Sequence, residues 1–325
     1  MKALVCDSFG SFDGISFREI ARPAPGPGEI LVRVRAAGAV FTDVLFALGK
    51  YQITPKLPFV LGSEVAGEVV ELGPGVDLFS IGDRVASLAI NFGGFAEYIV
   101  LPAWLPVRLQ GDIGFEVGAA LMASAATAQH ALRQRGAIQP GETLVVTGAA
   151  GGTGSAAIEV AKALGARVIA VCSSAERAAF CRHLGADHTV NYVADDLCSS
   201  LRTITDGRGV DVVFDLVGGD VFDACARSMA YNGRLLVVGF ASGRLPTLPV
   251  NRTLLGVYSV VGVHWLTFVQ RNPSAHLANM VELMGWVRRG LLRPRVTSTY
   301  PLADGVAALR RIADRAAMGK VVLRP

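Results

Sequence analysis

Hydrophobic positions follow two different patterns along this chain of 325 residues. In about the first 120 residues, short apolar and β-branched runs are separated by Pro- and Gly-rich segments, a pattern typical of strands joined by turns. We therefore predict a small β-barrel-like domain in this part of the chain. Its predicted strands are Ala3–Cys6, Ile30–Ala36, Gly67–Leu72, Arg84–Leu88 and Phe95–Val100.

From about Ser124 the pattern changes, and apolar strands alternate with segments of helical spacing. This alternation predicts an α/β fold with a doubly wound parallel sheet, and six strands complete a Rossmann sheet. The predicted strands are Thr143–Thr147, Val168–Val171, Asp187–Asn191, Val210–Asp215, Arg234–Gly239 and Ser259–Val263.

The segment after His264 is too small to form a domain of its own. It is predicted to contain two helices, an extended piece with prolines and a last strand, so we expect the chain to return to the first domain. The predicted domains are therefore residues 1–123 with 264–325, and residues 124–263. The elements of the last segment are Ala275–Arg289, Arg293–Pro301, Ala303–Met318 and Lys320–Leu323.

A glycine-rich turn lies between a predicted strand and a predicted helix, at residues 148–154, within a stretch of the size of a βαβ unit. Glycines at such a turn allow tight chain reversal, close approach of backbone N–H groups to a pyrophosphate, and close packing of helix on strand. The turn therefore predicts a dinucleotide site. The residues that form it are Gly148, Gly151, Gly152, Thr153 and Gly154.

The second strand of this unit indicates which dinucleotide binds. It ends in Ser173 and Ser174, without the acidic residue that NAD-binding strands use to read the ribose hydroxyls. Glu176 follows Ser173 at the spacing of a capping box, which predicts helix capping as its role. Arg177 can donate charge-assisted hydrogen bonds to a 2′-phosphate; the alternative is an ordinary solvated helix residue. We predict NADP(H).

Composition narrows the class of protein. Hydrophobic residues make up 51% of the chain and charged residues 18%, which predicts large folded cores, and the net charge of +4 is scattered rather than arranged for nucleic acid. We expect no membrane span, because no apolar run reaches the roughly 20 residues that a span needs. We also expect no signal peptide, because the N-terminal residues contain no signal-peptide core followed by a cleavage site. The five cysteines form no CxxC pair, which favours reduced thiols and a cytoplasmic protein.

Several short motifs accompany the glycine turn. With it, they resemble the zinc-free NADPH:quinone oxidoreductase branch of the medium-chain dehydrogenase/reductase superfamily along essentially the whole chain. The resemblance implies a Rossmann domain plus a mainly β, GroES-like catalytic domain, with NADPH in the cleft between them. The motifs are Gly49-Lys50-Tyr51, the stretches 61–67, 82–85, 93–98 and 184–187, Asn191-Tyr192, and the stretches 207–213 and 319–322.

The same resemblance implies positions for the cofactor contacts. Ser173, Ser174, Arg177 and Tyr192 would surround the 2′-phosphate, and Thr127 would approach the nicotinamide. Lys320 would lie near the pyrophosphate. Residues near the nicotinamide, contacting it mostly through the backbone, would be Val238, Gly239, Phe240 and Val263.

Two positions depart from the zinc enzymes of the superfamily, which hold the metal with a Cys in Cys-x-x-Asp and a His in Gly-His-Glu. Here those positions are Val40 and Ser63. The four-cysteine lobe that binds structural zinc is also missing after Leu88. We therefore predict no metal, and without a Lewis acid we expect no alcohol oxidation.

The predicted reaction is hydride transfer from NADPH to a quinone or a conjugated carbonyl, with Tyr51 and Thr42 as candidate catalytic residues. Tyr51 could protonate a carbon acceptor or could simply form a wall of the site, and Thr42 lies where alcohol dehydrogenases have a hydroxyl relay. Val40 replaces the Asn that is usual in this branch. This replacement adds two alternatives, which are an altered choice of substrate and a loss of activity. The alternatives are a 2-enoyl thioester reductase and a non-catalytic, crystallin-like NADPH-binding protein.

The run Val257–Val263 is predicted to lie at an edge of the Rossmann sheet, after the loop Arg244–Asn251. Edge strands carry unpaired backbone groups that can pair with a second copy of the chain. We therefore predict a homodimer.

Overall fold

The chain folds into two compact units, each built around its own β-sheet structure. They are seen in a computed structural model that describes residues 1–111 and 113–325. The strands are β1 (Lys2–Cys6), β2 (Ile15–Glu19), β3 (Glu29–Ala39), β4 (Phe59–Val60), β5 (Glu64–Leu72), β6 (Arg84–Leu88), β7 (Tyr98–Pro102), β8 (Val107–Arg108), β9 (Thr143–Val146), β10 (Arg167–Cys172), β11 (His188–Asn191), β12 (Val210–Asp215), β13 (Met229–Val237), β14 (Ser259–Gly262), β15 (Val296–Pro301) and β16 (Lys320–Arg324).

The helices are short, apart from α4 and α10. A π-helical turn, His130–Arg135, extends α3. The α-helices are α1 (Phe41–Ala47), α2 (Phe115–Leu121), α3 (Ser124–Gln129), α4 (Gly152–Ala163), α5 (Ala175–His183), α6 (Leu197–Ile204), α7 (Gly219–Ala226), α8 (Asn251–Gly256), α9 (Trp265–Arg271), α10 (Pro273–Arg288) and α11 (Gly305–Ala313). Within the described part of the chain, none of these helices combines the length and apolar character needed to cross a membrane.

The first unit comprises residues 1–123, 270–288 and 293–325. Its larger sheet has the order β15-β16-β3-β5-β6-β8, and β7 also pairs with β3. A smaller sheet has the order β2-β1-β4. Most residues of β3 and the first half of β5 are buried, and one apolar core extends from the strands to α1 and α11. Strands therefore dominate this unit, as the turn-rich sequence predicts.

The second unit comprises residues 124–269 and 289–292. Its six strands are all parallel, in the order β11-β10-β9-β12-β13-β14. The central strand β9 is buried at every residue, which explains the apolar run Leu144–Val146 after Thr143, since parallel sheets are covered on both faces. The predicted doubly wound α/β fold is confirmed.

Several element boundaries differ from prediction. The helix expected over Ala303–Met318 ends at Ala313, and the strand expected to begin at Arg234 begins at Met229. In the latter case Asn232 has a positive φ of 59°, so the strand contains an irregular step that an apolar pattern does not reveal. Helices α1 and α2 and strand β2 were not predicted from the apolar spacing.

Candidate functional site

The predicted cofactor contacts of the second unit lie at one edge of its sheet. The loops after β9, β10, β11, β13 and β14 all leave the carboxyl ends of parallel strands, and the carboxyl ends meet at the same edge. The chain reverses direction across the sheet between β9 and β12. Open α/β sheets bind ligands at such a switch point.

The glycine turn connects β9 to α4 in a compact conformation. Gly148 has a φ of 59°, in the region that favours glycine. A Cβ on Gly154 would lie 2.3 Å from the Gly148 carbonyl oxygen, so α4 packs too closely on the turn for any larger residue. Gly151 is the N-cap residue and provides no side-chain cap, which leaves the first N–H groups of α4 directed to an incoming anion. This geometry fits a pyrophosphate.

The segment after β10 contains the predicted 2′-phosphate contacts. Ser173 is exposed and Arg177 is half-buried. The Ser174 hydroxyl oxygen accepts a hydrogen bond from the Arg177 backbone N–H at 3.2 Å and caps α5. The predicted capping box of Ser173 and Glu176 is therefore wrong, because Ser174 is the N-cap residue and Glu176 is the second residue of the helix.

Two further predicted contacts lie beside this edge. Tyr192 follows β11, and its backbone N–H donates to the Cys172 carbonyl at 3.1 Å, which brings Tyr192 next to the Ser173 segment. Thr127 lies in α3 among buried residues and is itself half-buried. In the described part of the chain, no group hydrogen-bonds the Thr127 hydroxyl. Their contacts with a cofactor remain predictions.

Asp215, at the carboxyl end of β12, accepts hydrogen bonds from several groups at this edge of the sheet. Its carboxylate accepts a hydrogen bond from the Thr147 hydroxyl at 2.7 Å, and its backbone carbonyl accepts the N–H groups of Val238 and Gly239 at 2.9 and 3.1 Å. Burial raises the pKa of Asp215. This residue, which the sequence analysis missed, holds the start of the turn that carries Phe240 through its backbone carbonyl. Its buried carboxylate holds Thr147 and the N–H groups of Val217 and Gly218.

Val263 is held in a similar way, because its N–H donates to the Val237 carbonyl at 3.0 Å. The backbone at Val238, Phe240 and Val263 is therefore ordered by the sheet itself. Their predicted contacts with the nicotinamide rest on the resemblance.

In the first unit, Val40 and Ser63 are joined through Asp43. The Asp43 carboxylate accepts the Val40 backbone N–H at 2.9 Å and the Ser63 hydroxyl at 2.5 Å. This carboxylate is completely buried. Ser63 and Val40 stand where zinc enzymes of the superfamily have ligands, and here a hydrogen-bonded carboxylate connects them.

Burial raises the pKa of Asp43 to about 7, although the hydrogen bonds from Ser63 and the Val40 N–H act in the opposite direction. Two charged groups face it from neighbouring strands. Glu64 on β5 raises the pKa further, and Lys320 on β16 lowers it. Asp43 therefore changes protonation state near neutral pH.

Replacing Asp43 with asparagine should flatten the pH dependence of stability between about pH 4 and pH 7. The native carboxyl keeps its proton in this window while the unfolded carboxyl, with an ordinary pKa of 3.8, has lost it. The free energy of unfolding of the wild type should thus fall as pH rises, by at most about 4 kcal/mol. Urea denaturation at several pH values measures this slope.

Asp13→Asn, which changes an exposed carboxyl, is the matched control and should keep the wild-type slope. In Asp43→Asn the side-chain amide can still accept the Val40 N–H and donate to Ser63. Identical slopes for the wild type and Asp43→Asn would show that Asp43 is ionised throughout this range.

Lys320 and Glu64 form a buried ion pair within the first unit. Their side chains are 3% and 0% exposed. The Glu64 carboxylate also accepts the Ala123 N–H at 2.6 Å. Since Lys320 has a buried counter-ion of its own, its predicted place near the pyrophosphate needs a test and remains a prediction.

The two candidate catalytic side chains both carry hydroxyl groups without a hydrogen-bond partner in the described part of the chain. Thr42 is the second residue of α1 and is half-buried. Tyr51 is also half-buried, and its ring centroid lies 4.5 Å from that of Phe46. Burial raises the pKa of Tyr51, so its hydroxyl keeps its proton at neutral pH and can donate it.

Among residues 1–111 and 113–325, no three His, Cys, Asp or Glu side chains are grouped as a metal centre would require. The prediction that the protein needs no zinc continues to rest on the chemistry of Val40 and Ser63.

Comparison with known proteins defines the class. Residues 26–111 match the alcohol dehydrogenase GroES-like domain, and residues 152–284 match the zinc-binding dehydrogenase family. A quinone oxidoreductase of Pseudomonas aeruginosa is 36% identical over 323 residues, 98% of each chain. A 2-haloacrylate reductase of Burkholderia sp. is 32% identical, covering 99% of this chain and 98% of the relative.

Solved structures agree with these relatives. The crystal structure of the quinone oxidoreductase of Escherichia coli, complexed with NADPH, superimposes over all of both chains with a TM-score of 0.95 at 29% identity. The chain belongs to the medium-chain dehydrogenase/reductase family, in its quinone oxidoreductase branch.

Proposed function

We propose that this protein is an NADPH-dependent oxidoreductase that reduces a quinone or a conjugated carbonyl compound without zinc. The observation that carries the proposal is the edge of the parallel sheet, where the uncapped start of α4 fits a pyrophosphate and Ser173, Ser174 and Arg177 follow β10 with no carboxylate at its tip. Bound NADPH would supply the hydride. Relatives named quinone oxidoreductase and 2-haloacrylate reductase support the two acceptor classes.

The protein's own groups would bind and orient the reactants. The N–H groups of Gly152 and Thr153 would bind the pyrophosphate, and Arg177 with the two serines would bind the 2′-phosphate. Thr42 and Tyr51 would contact the acceptor. A quinone that accepts hydride takes its proton at oxygen from water, so it needs no strong acid from the protein.

We further propose that residues 124–263 form the NADP-binding domain and that residues 1–123 and 264–325 form the GroES-like catalytic domain. The division into compact units supports this assignment, except that residues 264–269 and 289–292 belong to the second unit. The five cysteines are free thiols, and all except Cys198 are buried, which supports a reducing compartment such as the cytoplasm.

Steady-state oxidation of NADPH with phenanthrenequinone tests the proposed function. We expect turnover with NADPH, much slower turnover with NADH, and the same rate after treatment with a chelator. Zinc that is stoichiometric and whose removal abolishes turnover would contradict the zinc-free mechanism. Binding of NADPH without oxidation by any quinone, enone or enoyl thioester would favour the crystallin-like alternative.

A second candidate function is reduction of 2-enoyl thioesters. The partly buried Tyr51 hydroxyl, which has no hydrogen-bond partner in the described part of the chain and keeps its proton, favours it, because a carbon acceptor needs a proton donor. Faster turnover with an enoyl-CoA ester than with any quinone would identify this function.

We also propose a homodimer joined through β14. This strand pairs with β13 at one side and is the last strand of its sheet. Large apolar side chains are exposed on and beside it. They include Val250 (80% exposed), Leu254 (76%), Leu255 (78%), Val257 (43%) and Val260 (41%). An edge strand flanked by exposed apolar residues is typical of an interface between copies.

Light scattering should give a mass about twice that of the 34.1 kDa chain. A variant with Leu254→Asp and Leu255→Asp should shift towards monomer, because each buried interface charge is costly. Ile81→Asp, at a similarly exposed position (68%) in the first unit, is the matched control. A wild-type mass of one chain at micromolar concentrations would rule the dimer out.

A further inference from the structure

Phe92 has a backbone conformation that is unusual for an aromatic residue. Its φ is 64°, in the left-handed region where side chains other than glycine are sterically disfavoured. The next residue, Gly93, also has a positive φ, of 99°, so the chain places phenylalanine where a second glycine would fit more easily. Strained residues of this kind are found at functional sites, where the surrounding structure holds them.

Backbone hydrogen bonds hold the conformation on both sides. The Phe92 N–H donates to the Ala89 carbonyl at 3.0 Å, and the Gly93 N–H donates to the Val60 carbonyl at 2.9 Å. Gly94 continues the turn and is bonded to Gly62 at 3.1 Å. The backbone conformation at Phe92 is therefore held by the turn rather than by the preference of the residue.

The ring belongs to the same aromatic cluster as Tyr51. Phe92 packs edge-on against Phe46, with centroids 4.5 Å apart and an interplanar angle of 79°, and its centroid lies 5.3 Å from that of Phe59. Phe46 in turn contacts Tyr51 at 4.5 Å. Phe92 as a whole is half-buried, so the residue is packed in the cluster and is still partly accessible to an approaching molecule.

We propose that Phe92 is a specificity-determining residue that selects flat aromatic acceptors by offering its ring as a stacking surface beside Tyr51. The inference deepens the proposed function and rests on it for the position of the acceptor near Tyr51. Quinones with fused rings present a large π surface, and aromatic pairs prefer offset or edge-on contacts with centroids about 4.5 to 7 Å apart. An acyclic enone has no ring to stack, so Phe92 should distinguish the two classes.

Equilibrium binding of phenanthrenequinone tests this inference without turnover. Quenching of protein fluorescence would be measured for the protein alone and with NADP⁺, which has no hydride to give. Phe92→Leu should weaken binding about tenfold, since it removes the ring and keeps an apolar side chain. Phe92→Tyr should keep nearly wild-type affinity. Phe9→Leu, at the far end of the cluster with its ring 6.2 Å from Phe59, should change little.

Kinetics provide the second readout. Phe92→Leu should raise KM for phenanthrenequinone about tenfold and leave KM for methyl vinyl ketone within about twofold. Unchanged quinone affinity in Phe92→Leu, equal weakening in Phe9→Leu, or no binding of the quinone to the wild type would overturn the assignment. Because binding is measured separately, loss of stacking is distinguishable from failure of the proposed hydride transfer.

Discussion

Replacing Tyr51 with phenylalanine should slow the reduction of an enone or enoyl thioester about 100-fold and change quinone reduction little. Hydride addition to a carbon–carbon double bond leaves an electron-rich carbon that must be protonated, and a positioned acid contributes about this factor. The Tyr51 hydroxyl is protonated at neutral pH, because burial raises its pKa above the ordinary value of 10.0. Initial rates with methyl vinyl ketone and with phenanthrenequinone, measured on the same preparation, give the comparison.

Tyr98→Phe is the matched control, because Tyr98 is also half-buried in the first unit but its ring faces Arg22. It should leave both rates unchanged. Equal losses for the two acceptors in Tyr51→Phe would mean that the hydroxyl positions the acceptor, and the role in carbon protonation would be lost.

Arg177→Ala should weaken NADPH binding roughly 10- to 100-fold and leave NADH binding nearly unchanged. A hydrogen bond to a charged group contributes about 1.5–3 kcal/mol, and every 1.4 kcal/mol is about a factor of ten in the dissociation constant. NADH lacks the 2′-phosphate, so it cannot lose this interaction. Isothermal titration calorimetry with each cofactor measures the two dissociation constants.

Arg182→Ala removes a second arginine from α5, one that donates to the Thr189 hydroxyl at 2.8 Å, and should leave both affinities near those of the wild type. Glu176→Ala adds a further check, because Glu176 does not cap the helix. Two results would contradict recognition of the 2′-phosphate: equal affinity of the wild type for both cofactors, or a selective loss of NADH affinity in Glu176→Ala. Either would mean that the segment after β10 binds a ribose hydroxyl instead.

Local patterns explain why most of the second unit could be predicted. β12 was predicted with the bounds observed, since its residues are mostly apolar and β-branched and are bounded by turn residues, as in a strand buried on both faces. The glycine turn is also a local feature, because the positive φ of Gly148 and the close packing at Gly154 both lie within the same seven residues. Helix α1 is different. Its N-cap residue, Val40, has no side chain that can cap the helix. Instead, the Asp43 carboxylate accepts the Val40 N–H, and an acidic residue three positions after the N-cap is a sequence signal for a helix start.

The candidate site could be predicted less completely. Asp43 meets Ser63 across 20 positions, and Lys320 meets Glu64 across 256. A single sequence carries no signal for such pairs, since nothing in the local pattern of either residue depends on its partner. The left-handed backbone of Phe92 also depends in part on a distant residue, because the N–H of the next residue, Gly93, donates to the Val60 carbonyl.

The pairing of β16 with β3 means that the first unit cannot be completed in the order in which the chain is synthesised. Val321 and Leu323 pair with Ala39 and Ala37, so residues 1–123 leave the ribosome long before their last strand exists. Until then Glu64 lacks its ammonium partner, and burying this carboxylate without that partner would cost about 3–5 kcal/mol. The nearly continuous second unit can fold first. A carboxypeptidase that trims residues 320–325 would therefore unfold the half that carries Tyr51 and spare the half that carries the glycine turn.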